Sequence, residues 1–240
     1  MTEISPSDRL EAQDAQWRVG WPLKIAAALF ALIVASGISF VVFEPIQVLP
    51  RIRLAPGYAL TTHDSELLTS ESARGAITLY SFAPTDCGSQ CEAAHATMAE
   101  IGSRLADEID LGEVEFRQIT IALDAEPESD QLKQASDASG ADDAQWRWVG
   151  GSAVQIGNIV GSGFQIFYEE GQSGGIERFD PGFILVDGAG VIRGEYRYQT
   201  IAADADKIIH HVGILSDEVR NATGATAVAY EAAHLFLCYP

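Results

Sequence analysis

The 240-residue sequence predicts an α/β fold, a mixed sheet flanked by helices and preceded by one N-terminal transmembrane helix. Three observations predict it. Residues 25–43, IAAALFALIVASGISFVVF, hold no charge. Further along, short apolar and β-branched runs alternate with stretches of helical periodicity, the pattern of strands and helices sharing one sheet. Near the end, Gly188-Ala189-Gly190 joins two such runs as a tight turn, which folds them into an antiparallel hairpin.

Residues 1–20 are polar, with Glu3, Asp8, Arg9, Glu11, Asp14 and Arg18, and read as a solvated tail. Residues 21–43 read as a membrane anchor. The uncharged run, extended by Trp21-Pro22-Leu23, crosses roughly 30 Å of hydrocarbon with Trp21 at the interface. A cleaved signal peptide has a shorter apolar region and a small-x-small end, whereas this one ends in Val-Val-Phe-Glu-Pro. Residues 44–58 carry Pro45, Pro50, Pro56 and Gly57 and are expected to form an extended, stiff linker that lifts the next domain off the membrane.

That domain is expected over residues 59–220. Ala59-Leu60 and Leu67-Leu68 surround a polar turn at Thr62-His63-Asp64-Ser65, a small hairpin. Residues 76–83 form a buried strand, and the helix after it shows its apolar face at Ala94, Met98, Ile101 and Leu105. Residues 113–127 form a second strand ending in an acidic loop, and 129–138 a polar helix. Ser152 caps a more apolar helix through Val154, Ile156, Ile159 and Val160, despite Gly157, Gly161 and Gly163. Residues 183–186 and 191–198 are the strands of the closing hairpin, and 202–219 a last helix with Ile208, Ile209, Val212, Ile214 and Leu215 inward. Strand, helix, strand, helix, hairpin, helix is the thioredoxin-like plan. Residues 221–240 add an apolar extension, too short for a second span, that carries His234 and Cys238. It is expected to pack on the domain or a partner, or to fold His234 or Cys238 back towards the other cysteines.

Those cysteines are Cys87 and Cys91, placed in the loop after the first buried strand and at the first turn of the helix that follows. Free N–H groups and the positive end of the dipole at a helix N-terminus favour thiolate over thiol. Two thiolates this close bind a soft metal ion, exchange a disulfide with another protein, or simply staple the loop. The charge narrows the partners. With 34 acidic and 15 basic residues the net charge is −19, which argues against nucleic acid and against a grip on anionic lipid, and suits a basic protein or a cation. There is no Gly-rich phosphate loop and no plausible Ser-His-Asp set.

Several stretches together resemble the Sco (SenC) family of membrane-anchored, thioredoxin-fold copper proteins that help assemble the copper centre of cytochrome oxidase. SFAPTDCGSQC resembles the family's strand and C-x-x-x-C loop, ITIALDAEPESDQLKQASDASGADDAQWRWVGG its second strand, helix and Trp-containing segment, and FILVDGAGVIRGEY its closing hairpin. The resemblance implies Cu(I) bound by Cys87 and Cys91, and a protein partner such as an oxidase subunit or a copper carrier. It also implies a domain on the extracytoplasmic, periplasmic or outer, side of the membrane. Two departures stand out. The family's copper-binding histidine falls at Phe179, which cannot bind copper, and Glu92 replaces the proline that commonly follows the second cysteine. A third ligand then has to come from elsewhere. His95, one turn after Cys91 on the same helix face, is the nearest candidate, with His63 and then His210-His211 behind it. Without a metal, Cys87 would be the nucleophile and Cys91 the resolving thiol of a membrane-anchored thiol-disulfide oxidoreductase. A third possibility is an accessory subunit of a respiratory complex.

Overall fold

The computed structural model describes residues 6–43, 47–142, 144–171, 175–197, 204–221, 226–227, 230–231 and 233–234, with backbone alone for 6–19 and 40–43. It divides into two units, Met1–Ile46 and Gln47–Pro240. The described residues of the first form one helix, α1 (Pro6–Phe43). Its Gly20–Ser39 segment, of mean hydropathy 1.9, is the one helix among the described residues long and apolar enough to cross a membrane. Residues 6–20, expected as a polar tail, are helical as well. At 1.5 Å per residue α1 reaches about 57 Å, so its polar end extends well past a hydrocarbon layer of roughly 30 Å.

Among its described residues the second unit contains ten strands: β1 (Arg53–Leu54), β2 (Ala59–Thr62), β3 (Leu67–Thr69), β4 (Ala76–Ala83), β5 (Glu115–Ala125), β6 (Trp146–Gly151), β7 (Tyr168–Glu170), β8 (Ile176–Phe179), β9 (Gly182–Val186) and β10 (Val191–Arg197). Eight form one sheet in the order β1-β10-β9-β4-β5-β6-β2-β3, while β7 and β8 make a separate hairpin. β4, β5 and β6 run parallel; every other pairing is antiparallel. Helices α2 (Glu92–Glu108), α3 (Ser129–Ser139), α4 (Ala153–Ile156) and α5 (Ala205–Arg220) accompany the sheet. This is the mixed, helix-flanked, thioredoxin-like sheet that the sequence predicts.

The centre of the sheet explains the apolar run at β4, whose eight positions are all buried. Alternate side chains leave a strand on opposite faces. Ile77 and Leu79 accordingly join Met98, Ile101 and Leu105 of α2 and Ile208 and Val212 of α5 in one core. Tyr80 and Phe82 face the other way, among Ile119, Ile121, Ile156, Val160 and Phe164. Both faces are covered, so the parallel strands read as continuous apolar runs rather than alternating ones.

Three features differ from the sequence expectation. The 44–58 linker does not stand free over its described part: Val48 and Leu49 are buried and β1 pairs with β10, which fastens this stretch to the sheet edge. β6, unassigned from sequence, is a full strand whose Trp146 and Trp148 lie on one face. The glycines after Ser152 do not end the helix but widen it, and α4 continues as a π-helical stretch over Gly157–Phe164. The described residues of the C-terminal extension pack on the domain, with Ala233 buried and the His234 Nε2 at 2.9 Å from Glu218 Oε1.

Candidate metal and thiol site

The site is built where the parallel strands end. β5 runs beyond β4, and continuing the Ala83↔Ala122 register by two residues brings Asp124 level with Thr85. The Thr85 N–H donates to Asp124 Oδ2 at 2.5 Å, which pins the loop leaving β4. Cys87 follows, then a 3-10 turn over Gly88–Gln90 in which the Gln90 N–H donates to the Cys87 carbonyl at 3.1 Å. Gly88 holds φ +49°, a left-handed conformation that glycine adopts without strain. Cys91 is the N-cap of α2, and its side chain makes no capping hydrogen bond, leaving the first-turn amides of α2 to favour negative charge beside it.

Cys87 and Cys91 form a disulfide with Cα atoms 5.8 Å apart. The two sulfurs differ in access: Cys91 is 1% exposed, whereas Cys87 is half-buried and opens onto a cleft. His95 completes the group. Its N–H donates to the Cys91 carbonyl at 2.8 Å, so its ring rises on the same helix face. One ligand atom from each of Cys87, Cys91 and His95 lies within 4.8 Å of the others. The ring meets Trp148 edge-on at a centroid distance of 5.6 Å and Trp146 at 6.2 Å. Burial lowers the pKa of His95 below the usual imidazole value, which favours the neutral ring a metal requires. Its Nε2 is buried and makes no hydrogen bond among the described residues. A buried, unsatisfied imidazole nitrogen is costly and calls for a partner. Two soft sulfurs and one such nitrogen are a donor set that fits Cu(I).

The tryptophans that frame His95 are themselves anchored. Trp148 Nε1 donates to Ser139 Oγ on α3 at 3.0 Å, and Trp146 Nε1 to Thr120 Oγ1 on β5 at 2.8 Å. These supports and Asp124 were not identified from sequence as parts of the site; the W-x-W alternation of β6 was the available signal. Phe179, where the resemblance puts the family's histidine, packs against the same cluster as Cys87, Cys91 and Trp148. The position therefore faces the site but offers no donor. The peptide bond before Pro181 is trans.

The other candidates lie elsewhere. β2 is antiparallel to β6, with Thr62 opposite Val149, so the His63 turn points towards the start of the parallel strands, away from the cysteines. On α5, His211 is buried and its Nδ1 is 2.6 Å from the Tyr196 hydroxyl. His234 does not fold back to Cys87 and Cys91. Its partner Glu218 pairs with Arg193, which also pairs with Asp187, next to the Gly188 that accepts the Gly75 N–H at the start of β4. β4 separates that cluster from the cysteines by its full length, about 26 Å at 3.3 Å per residue. Cys238 lies outside the described residues.

A family model described as SCO1/SenC matches residues 48–214. No curated protein matches the chain in sequence. Among solved structures, BsSco, described as a member of the Sco family of cytochrome c oxidase assembly proteins with a disulfide switch, is similar at 20% identity. That match covers 71% of this chain and 97% of BsSco, with a TM-score of 0.60. A SCO1/SenC family lipoprotein from Bacillus anthracis is 18% identical over 68% of this chain and 95% of its own, at TM-score 0.59. Arabidopsis thaliana ScoI, solved with copper bound, is 16% identical over 70% and 98%, at TM-score 0.56. Identities this low establish the shared fold, and the family rests on the model match.

Proposed function

This chain belongs to the SCO1/SenC family, and from that premise we propose that its reduced dithiol carries Cu(I) as cargo for assembly of the copper centre of cytochrome oxidase. The observation that carries the proposal is the convergence of Cys87, Cys91 and His95 within 4.8 Å. His95 replaces the donor that Phe179 cannot supply. The disulfide is the empty state, because thiolates bind the metal and a disulfide does not. A dithiol reductant that gives two electrons and closes to its own disulfide opens the S–S bond and leaves two thiolates, which soft Cu(I) prefers. The apolar α1 serves as a membrane anchor, and the domain works on the extracytoplasmic side, where disulfides persist. The partner is an oxidase subunit or a copper carrier.

X-ray absorption at the copper edge tests this on the reduced full chain in detergent, loaded with one equivalent of Cu(I). Two sulfur neighbours and one nitrogen are expected, and His95→Ala should remove the nitrogen. An unchanged spectrum in that variant would reject His95 as a ligand.

A second reading, exchange of the disulfide with a partner's thiols, is favoured by the unequal access of the two sulfurs. Cys87 would form the mixed disulfide, and Cys91, shielded beneath it, would resolve it.

A further inference from the structure

Beside Cys87 a cleft of about 700 Å³ opens between α2 and α3. Its walls are unusually short for two packed helices. Ala96 and Ala99 stand on one side and Ala138 on the other, with Trp148 also in the lining. Gln131 and Gln134 place amides along the α3 side, and Asp86 and Glu92 place carboxylates near the cysteine. No lysine or arginine is among the lining residues. From Glu92 to Ala99 the α2 wall rises roughly 10 Å, the length of about three extended residues.

We propose that this cleft is the docking site for an extended, cationic segment of a partner protein that brings a cysteine to Cys87. The small side chains leave room for a backbone between the helices; the Gln134 amide can both donate to and accept from it, and Gln131, whose Oε1 accepts the Glu128 N–H at 2.8 Å, can donate. Asp86 and Glu92, on a chain of net charge −19, select basic flanking residues. Cys87 lines the cleft whereas the buried Cys91 does not, so the incoming sulfur meets Cys87. In that step the partner's thiolate attacks Cys87 Sγ, a new S–S bond forms, the Cys87–Cys91 bond breaks, and Cys91 leaves as the thiolate. One disulfide is exchanged for another, so no outside oxidant or reductant is consumed. The proposal deepens the functional reading by naming the partner's chemistry, and it rests on the dithiol being the working group.

The test measures mixed-disulfide formation by the oxidised full chain in detergent. The probe is a short peptide with a central cysteine, flanked on each side by alanine, lysine and a terminal glycine. A second peptide has glutamate in place of lysine. Each rate is divided by that peptide's rate with hydroxyethyl disulfide, which removes differences in thiol acidity. Acid quenching, alkylation and peptide mapping locate the adduct. The lysine peptide should react about tenfold faster than the glutamate peptide at low salt. The advantage should vanish at about 0.5 M salt, where screening is complete within a few ångströms. It should also vanish in the Asp86→Asn, Glu92→Gln double variant and shrink when Ala99→Trp or Ala138→Trp fills the cleft, with the adduct always on Cys87. Equal rates for the two peptides, a preference that survives the double variant, or an adduct on Cys91 each overturn the proposal. Cu(I) binding by the reduced, unsubstituted chain, read separately, distinguishes the failures: equal rates for the two peptides with Cu(I) bound overturn the cleft and leave the metal site standing, and a lysine preference without Cu(I) binding does the reverse.

Discussion

His95 sits one turn from Cys91 with a buried Nε2 that has no hydrogen-bond partner among the described residues, and it is the third donor proposed for Cu(I). Loss of an outer-shell group already costs about 10–100-fold in metal affinity, so His95→Ala should weaken Cu(I) binding by at least about tenfold. Competition with a Cu(I) chelator measures it. Phe179 packs against the same cluster from β8, so Phe179→His in the His95→Ala background should recover most of that affinity. No recovery would mean that position 179 cannot reach the metal. The convergence of Cys87, Cys91 and His95 was readable in the sequence, because His95 falls one turn after Cys91 on the same helix face and Cys87 lies in the loop just before that helix. Phe179's place beside them was readable only through the resemblance, since β8 pairs with a strand that periodicity does not reveal.

The loop between β4 and α2 is held at one end by the carboxylate of Asp124 and at the other by the N-terminus of α2. Asp124→Ala leaves the Thr85 N–H without its acceptor and removes a charge-assisted bond; as the site is partly exposed, the expected loss is about 1 kcal/mol. Urea unfolding checks the loss, and amide exchange should quicken at residues 84–91 while the centre of β4 stays protected. The strands and helices around this loop were legible as apolar periodicity. β6 was not, because it borrows its burial from both neighbours and its Arg147 interrupts the apolar run. Its two tryptophans nonetheless make the wall against which His95 rests.

At the scale of the whole domain, an ionic cluster centred on a buried arginine ties the stretch leading into its first strand to its C-terminal part at the end of the sheet opposite the cysteines. Arg193, 3% exposed, pairs with Asp187 and Glu218 and donates to the Leu49 carbonyl, while Arg51 and His234 reach Glu231 and Glu218. Burial raises the Glu218 pKa, but the Arg193 and His234 contacts outweigh it and hold the carboxyl below its usual value. Arg193→Met takes the guanidinium from Asp187 and Glu218, leaving Glu218 to His234 and the more distant Arg51, and should cost about 3 kcal/mol in urea unfolding, against at most about 1 for the exposed Arg74–Glu71 pair. A second whole-domain property is pH dependence. Burial, then the charges of Lys207 and His210, push His211 down to about 4. The unfolded chain therefore binds the extra proton first as pH falls below the ordinary histidine value of about 6.5. Stability should drop between about 6.5 and 4, and His211→Gln should flatten that slope. Sequence patterning could not reveal this cluster, whose members are joined by tertiary contacts between residues as far apart as Arg51 and Glu231. The central claim is tested most directly by anaerobic titration of the reduced full chain with Cu(I) against a competing chelator, beside the Cys87→Ser, Cys91→Ser double variant. One tightly held Cu(I) per chain, abolished in the double variant, is the predicted result; binding no stronger than that of the double variant would contradict it.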